Sequence, residues 1–113
     1  SMAFANVVPE MNHNEIVGWE QETDLQKKMV IIFLKDETPH SRIDKRIELT
    51  KKIIKRQGAE VVELYTQGNT TLEKLFSLIV LGDWVSYYLA IYYKKDPIAI
   101  KNIDYLKNEL RKA

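Results

Sequence analysis

The chain contains no cysteine. That excludes a disulfide framework, a thiol nucleophile and any zinc site built on thiolates. It also suits a reducing compartment, and a cytoplasmic location is the expectation. Charge of one sign is lacking too. Seventeen basic residues face sixteen acidic ones, for a net charge of +1. That balance gives no electrostatic reason to expect nucleic acid as a partner. Only four glycines and three prolines interrupt the 113 residues, and neither low-complexity tracts nor internal repeats occur. The opening stretch SMAFANVVPE has no basic segment and no long apolar core, so no signal peptide is expected there. What is present is ordinary for a globular chain, 45% apolar and 29% charged, and the length fits one domain at most.

The most apolar run is Leu72 to Tyr93, long enough to cross a bilayer. It carries Glu73, Lys74, Ser77 and Asp83. A charge at the middle of a span costs about 2.5–3.5 kcal/mol on insertion scales. The expectation is therefore a buried helix of a soluble protein, with no membrane as partner.

The remaining pattern alternates helix and strand. Residues Asn14 to about Lys28 read as a helix on Ile16, Val17 and Leu25. Met29 to Leu34, MVIIFL, is continuously apolar and β-branched, which predicts a strand covered on both faces in a parallel sheet. Thr38-Pro39 predicts a helix start, with Ile43, Ile47, Ile53 and Ile54 as the apolar stripe and Leu49 at its edge. The basic residues between Lys45 and Arg56 are expected to form a solvated face rather than a phosphate site. Gly58 suits a left-handed helix stop. Ala59 to Tyr65 reads as the second strand and Gly68-Asn69 as a turn. Thr70 with Glu73 reads as a capping box opening a helix to about Lys94. Asp96-Pro97 breaks it, and Ile98 to Leu110 reads as a last amphipathic helix. A strand–helix–strand crossover of this length predicts a parallel unit, hence an α/β fold built as a three-layer sandwich. Two strands are few for such a sandwich, so the chain reads as the second half of a domain. Asp83, in the middle of an apolar helix, is expected to be paired with Arg42 or with backbone donors near the sheet, or to face a dimer interface.

One stretch carries chemistry. Asn12-His13-Asn14-Glu15 stands directly before Ile16, Val17 and Trp19. Asn12 and Glu15 could cap a helix. Capping leaves His13, beside a second asparagine, without a structural task.

The segment VVPEMNHNEIVGWE resembles the Pro-Glu-hydrophobic-Asn-His-Asn-Glu-Ile-hydrophobic-Gly segment of the bifunctional phosphoglucose/phosphomannose isomerases, in their C-terminal sugar-isomerase (SIS) domain. Three other stretches are similar to that family. They are VIIFLKDETPHSRIDKRIELTKKII, with Arg42 and Arg46 at the family's spacing, then LFSLIVLGDWVSYYLAIYYKKDP, then IDYLKNEL. Together they cover nearly the whole chain, residues 1–113. The resemblance implies a flavodoxin-like SIS fold with a parallel sheet. It also implies an aldose–ketose isomerase of carbohydrate metabolism that interconverts glucose 6-phosphate and fructose 6-phosphate. Mannose 6-phosphate is the implied second substrate, and no metal or organic cofactor is implied.

Carried over residue by residue, the resemblance makes His13 the ring-opening histidine. In the family it reaches into the neighbouring subunit's site, which implies a homodimer. Lys107 matches the C-terminal lysine that assists near the substrate, and Asn12 and Asn14 orient His13 or bind sugar hydroxyls. The proton-shuttling glutamate and the phosphate-binding Ser/Thr loop have no match here and belong upstream. Ile98 follows Asp96-Pro97 where many members carry the threonine tied to mannose 6-phosphate. Two other readings stand beside the isomerase. One is a non-catalytic sugar-phosphate-binding SIS module and the other a dimerisation module.

Overall fold

Two short extended runs lie side by side as parallel strands, β1 (Val30–Lys35) and β2 (Glu60–Tyr65), in register from Val30 against Glu60 to Lys35 against Tyr65. A computed structural model describes residues 3–20, 24–37 and 40–112. Between the strands runs the helix α2 (Ser41–Arg56), and before them a single helical turn, α1 (Val8–Met11). After them come α3 (Thr71–Tyr92) and α4 (Lys101–Leu110). Among the described residues the sheet has two strands. The architecture is α/β, as the crossover pattern predicts.

The core lies where α2 and the N-terminal segment cover one face of the sheet. Phe33, Ile47, Ile54 and Ala59 are buried there, with Met11, Trp19, Ile31 and Val61 packed against them. On α2 the buried stripe is Ile47, Thr50 and Ile54, spaced by three and four residues, and Ile43, expected on it, is exposed at the end nearer the helix start. That spacing keeps one side of a 3.6-residue helix inward. Thr50 is buried although polar, because its hydroxyl donates to the Arg46 carbonyl at 2.8 Å. Ile53 and Leu49 lie off the stripe and stay exposed. The expected start of this helix at Thr38-Pro39 lies outside the described residues.

Gly58 ends α2 with φ +82° and Gly68 turns the chain at φ +121°, both in the region that favours glycine. At Gly68 an added Cβ would collide with Glu73 Cβ. The predicted capping box follows. Thr70 Oγ1 accepts from the Glu73 N–H at 3.2 Å, and Glu73 Oε2 accepts from the N–H groups of Thr70 and Asn69 at 2.9 and 2.7 Å. Those donors hold the Glu73 carboxyl below its ordinary value.

Three expectations need correction. First, the helix predicted from Asn14 to Lys28 is not continuous. Glu15–Glu20 and Gln26–Lys28 are short 3₁₀ turns, and residues 21–23 lie outside the described residues. Gly18 and the β-branched pair Ile16-Val17 are poor α-helix formers, which leaves this segment to tertiary packing. Second, β1 is covered on one face only. Val30, Ile32 and Leu34 are exposed on the other, because no described element lies over them in sufficient area. Third, α3 is apolar nearly all round yet has no buried residue within this chain. The helix is longer than the two strands and remaining helices can cover. It is the helix, among the described residues, that is long and apolar enough to cross a membrane.

Candidate functional site

The Asn12–Asn14 motif forms the turn that follows α1. The N–H groups of His13 and Asn14 both donate to the Glu10 carbonyl, at 3.0 and 3.1 Å. The Asn12 N–H donates to Val8 O at 3.1 Å, so Asn12 closes α1 instead of opening a helix. Its side chain reaches across to α2, where Nδ2 donates to Thr50 Oγ1 at 2.6 Å. Thr50 is thus both donor and acceptor, and it fastens the motif to the core. Glu15 does not join Asn12 in a cap. Its carboxylate accepts from the Asn6 side-chain amide.

His13 and Asn14 are exposed. The imidazole makes no hydrogen bond among the described residues, so both ring nitrogens are open to a ligand. The backbone beneath it is fixed by Glu10 and by the Asn12–Thr50 link. A free imidazole on an anchored turn can take up or release a proton at a bound hydroxyl or ring oxygen. Lys107 lies in the last turn of α4, exposed, with a free amine among the described residues. No described contact brings Lys107 to the His13 turn. Among the described residues no three histidine or carboxylate side chains converge as metal donors.

Two polar clusters arise from strand register and were not readable from local sequence. On the α2 face, Glu63 Oε1 accepts from Lys35 Nζ at 3.1 Å and Glu63 Oε2 from Lys51 Nζ at 2.8 Å. Lys51 also binds Glu48 at 2.8 Å, and Asp44 lies 3.7 Å from Lys35. Lys51 hydrogen bonding, with help from Lys35, holds the Glu63 carboxyl below its ordinary value. Glu63 raises Lys35, and Glu48 with Glu63 raises Lys51. Lys51 thus leaves the basic face of α2 that was expected to be wholly solvated. The second cluster sits at the carboxyl ends of the strands. There Asp36 Oδ1 accepts from Thr66 Oγ1 and from Lys74 Nζ, both at 2.9 Å. Position just past a parallel strand is the one sequence signal that could have pointed to it. The expected Asp83–Arg42 ion pair is absent among the described residues. Asp83 is exposed on an uncovered stretch of α3, where water meets the demand that burial would impose.

The Glu63 network gives a stability prediction. Its lowered carboxyl contributes stability that is full above 4.5, the ordinary value, and is lost as pH falls through the lower folded value. Glu63→Gln should cost about 1 kcal/mol at neutral pH, because two half-buried lysines lose the carboxylate they share and keep only Asp44 and Glu48. The difference from the parent should shrink in acid. Urea midpoints at about pH 7 and about pH 3 check it.

Comparison with known proteins adds to this geometry. Residues 1–110 match the family described as bacterial phospho-glucose isomerase C-terminal SIS domain. A bifunctional phosphoglucose/phosphomannose isomerase of Caldicellulosiruptor bescii is 46% identical over 110 residues, covering 97% of this chain and 32% of the relative. The protein of the same name from Aquifex aeolicus is 39% identical over 112 residues, covering 99% of this chain and 35% of the relative. The Thermoplasma acidophilum protein of that name is 31% identical over 109 residues, covering 96% and 33%. The chain therefore spans about a third of the length of the curated relatives it matches. No solved structure matches it.

Proposed function

Because the chain belongs to the family of bacterial phosphoglucose isomerase C-terminal SIS domains, we propose that it is the C-terminal part of a cytoplasmic sugar-phosphate isomerase. The reaction is the interconversion of glucose 6-phosphate and fructose 6-phosphate, with mannose 6-phosphate as a second aldose. The observation that carries the proposal is the exposed His13 imidazole within Asn12-His13-Asn14-Glu15, on a turn fastened to the core through Asn12 and Thr50.

In this reading His13 opens the sugar ring by moving a proton between the ring oxygen and O1. A carboxylate from the upstream part of the polypeptide then carries a proton between C1 and C2 through a cis-enediol. Asn12 positions the turn, and Asn14 is free to meet sugar hydroxyls. Lys107 supplies positive charge near the developing oxyanion when the site is assembled. His13 serves the site of a neighbouring subunit in a homodimer, which accounts for an imidazole that faces outward in the single chain. Ile98 replaces the threonine tied to the mannose substrate, so the glucose–fructose pair is the main reaction.

Calorimetry on the longer polypeptide tests the proposal. An enediol mimic should bind at least about 100-fold more tightly than fructose 6-phosphate, because an isomerase favours the transition state over the substrate. Equal affinities would mark a sugar-phosphate sensor, and no binding a scaffold. Either result overturns the isomerase.

A further inference from the structure

Between the uncovered sheet face and the first half of α3 lies a cavity of about 700 Å³. Its walls are apolar, with Leu34 on β1 and Leu75, Leu78 and Ile79 on α3. Its charged groups are the Asp36–Lys74 pair and Asp83, with Thr66, Asn69 and Thr71 as neutral polar lining. The Asp83 carboxylate has no hydrogen bond or ion pair among the described residues. The cavity thus sets two carboxylates against one ammonium group.

We infer that this cavity is the seat of a segment lying upstream in the same polypeptide, apolar in the main and carrying a basic side chain that meets Asp83. A helix that is apolar nearly all round is a buried helix. The four apolar residues buried among the described ones are too small a core to hold a chain of this length. A sheet covered on one face by α2 gains its third layer only if something lies over Val30, Ile32 and Leu34. The relatives are about three times as long as this chain, and the match is to a C-terminal domain, so the polypeptide itself supplies that layer. Burial would strip water from Asp83, and a buried carboxylate needs a cation beside it. A second copy pairing α3 with α3 about a dyad would bring two acidic cavities together. A bilayer would have to take up Asp83 near the middle of the helix. Neither adds a cation beyond Lys74, which Asp36 already engages at 2.9 Å.

The inference rests on the reading of this chain as the C-terminal part of a longer polypeptide and not on its chemistry, since its readout is accessibility and not turnover. The absence of cysteine makes an introduced thiol in this stretch a clean probe. In the longer polypeptide, Leu78→Cys should react with a maleimide at least about 50-fold more slowly than Lys45→Cys, on the solvated side of α2. Peptide mapping assigns the label. The protection should not change on dilution and should need no lipid. Adding Asp83→Leu should raise the Leu78→Cys labelling rate at least about tenfold, and Asp83→Glu should hold it near the parent value. Equal labelling at the two sites overturns the inference. So does protection that is lost on dilution, which assigns the cavity to a second copy. Protection that appears only with anionic phospholipid vesicles assigns it to a membrane and overturns the inference as well. An Asp83→Leu variant as protected as the parent removes the basic partner.

Discussion

Replacing His13 with alanine in the longer polypeptide is expected to lower kcat for glucose 6-phosphate by about 10²–10⁴-fold, the usual worth of a positioned general acid–base group. The thermal midpoint should not move, because the ring is exposed and makes no hydrogen bond whose loss the fold would register. KM should change little, since ring opening is a proton transfer and not a binding step. Asn12→Ala is the companion variant. It cuts the Nδ2–Thr50 link and leaves the imidazole in place on a looser turn. Its kcat should fall less than that of His13→Ala, and it should lose some stability, because Thr50 Oγ1 keeps only its bond to Arg46. Steady-state rates at saturating substrate, taken beside thermal melts, separate the two effects. A His13→Ala enzyme within twofold of the parent would take the histidine out of the chemistry.

The second large effect concerns Ile54, which is 0% exposed at the centre of the α2–sheet contact. Ile54→Ala removes three carbons from a site with no solvent to refill it. Losses of about 2–5 kcal/mol follow from such truncations, the spread reflecting how far the surroundings collapse. Here the neighbours are Phe33, Ile47 and Ala59, two of them tied to strand or helix backbone and one already small. Collapse is therefore limited, and about 3 kcal/mol is the expectation. The urea midpoint of the longer polypeptide should drop with an unchanged slope. A loss under about 1 kcal/mol would mean that the site repacks freely.

Much of this fold could be read locally, and the reasons differ from element to element. β1 and β2 announced themselves as short β-branched runs. Gly58 and the Thr70–Glu73 box are decided by backbone sterics and by hydrogen bonds three residues apart, so no distant partner is needed to foresee them. The Asn14–Lys28 segment failed because its apolar spacing suits a helix while Gly18 and two β-branched residues do not. Burial was the wider failure. The character of α3 is intrinsic to its sequence, but what covers it is not. The same gap left Asp83 with an expected partner that α3, standing uncovered, does not require. The Glu63 network escaped because it depends on register. Only when Phe33 stands opposite Glu63 do Lys35 and Lys51 converge on one carboxylate. At the site, the sequence motif identified His13. The Asn12–Thr50 tether, which spans 38 positions, became visible only in three dimensions.

Among the described residues each strand of the two-stranded sheet has one bare rim, a row of backbone donors and acceptors without strand mates. β1 places Val30-Ile31-Ile32-Phe33-Leu34 along such a rim, five uncharged residues of high β propensity with no proline. That is the composition of a fibril-forming zipper. Proteolytic release of this stretch from its parent would expose a template for strand addition, and the charges at Lys35, Asp36 and Glu37 stand where gatekeepers do, ending the apolar run at Leu34.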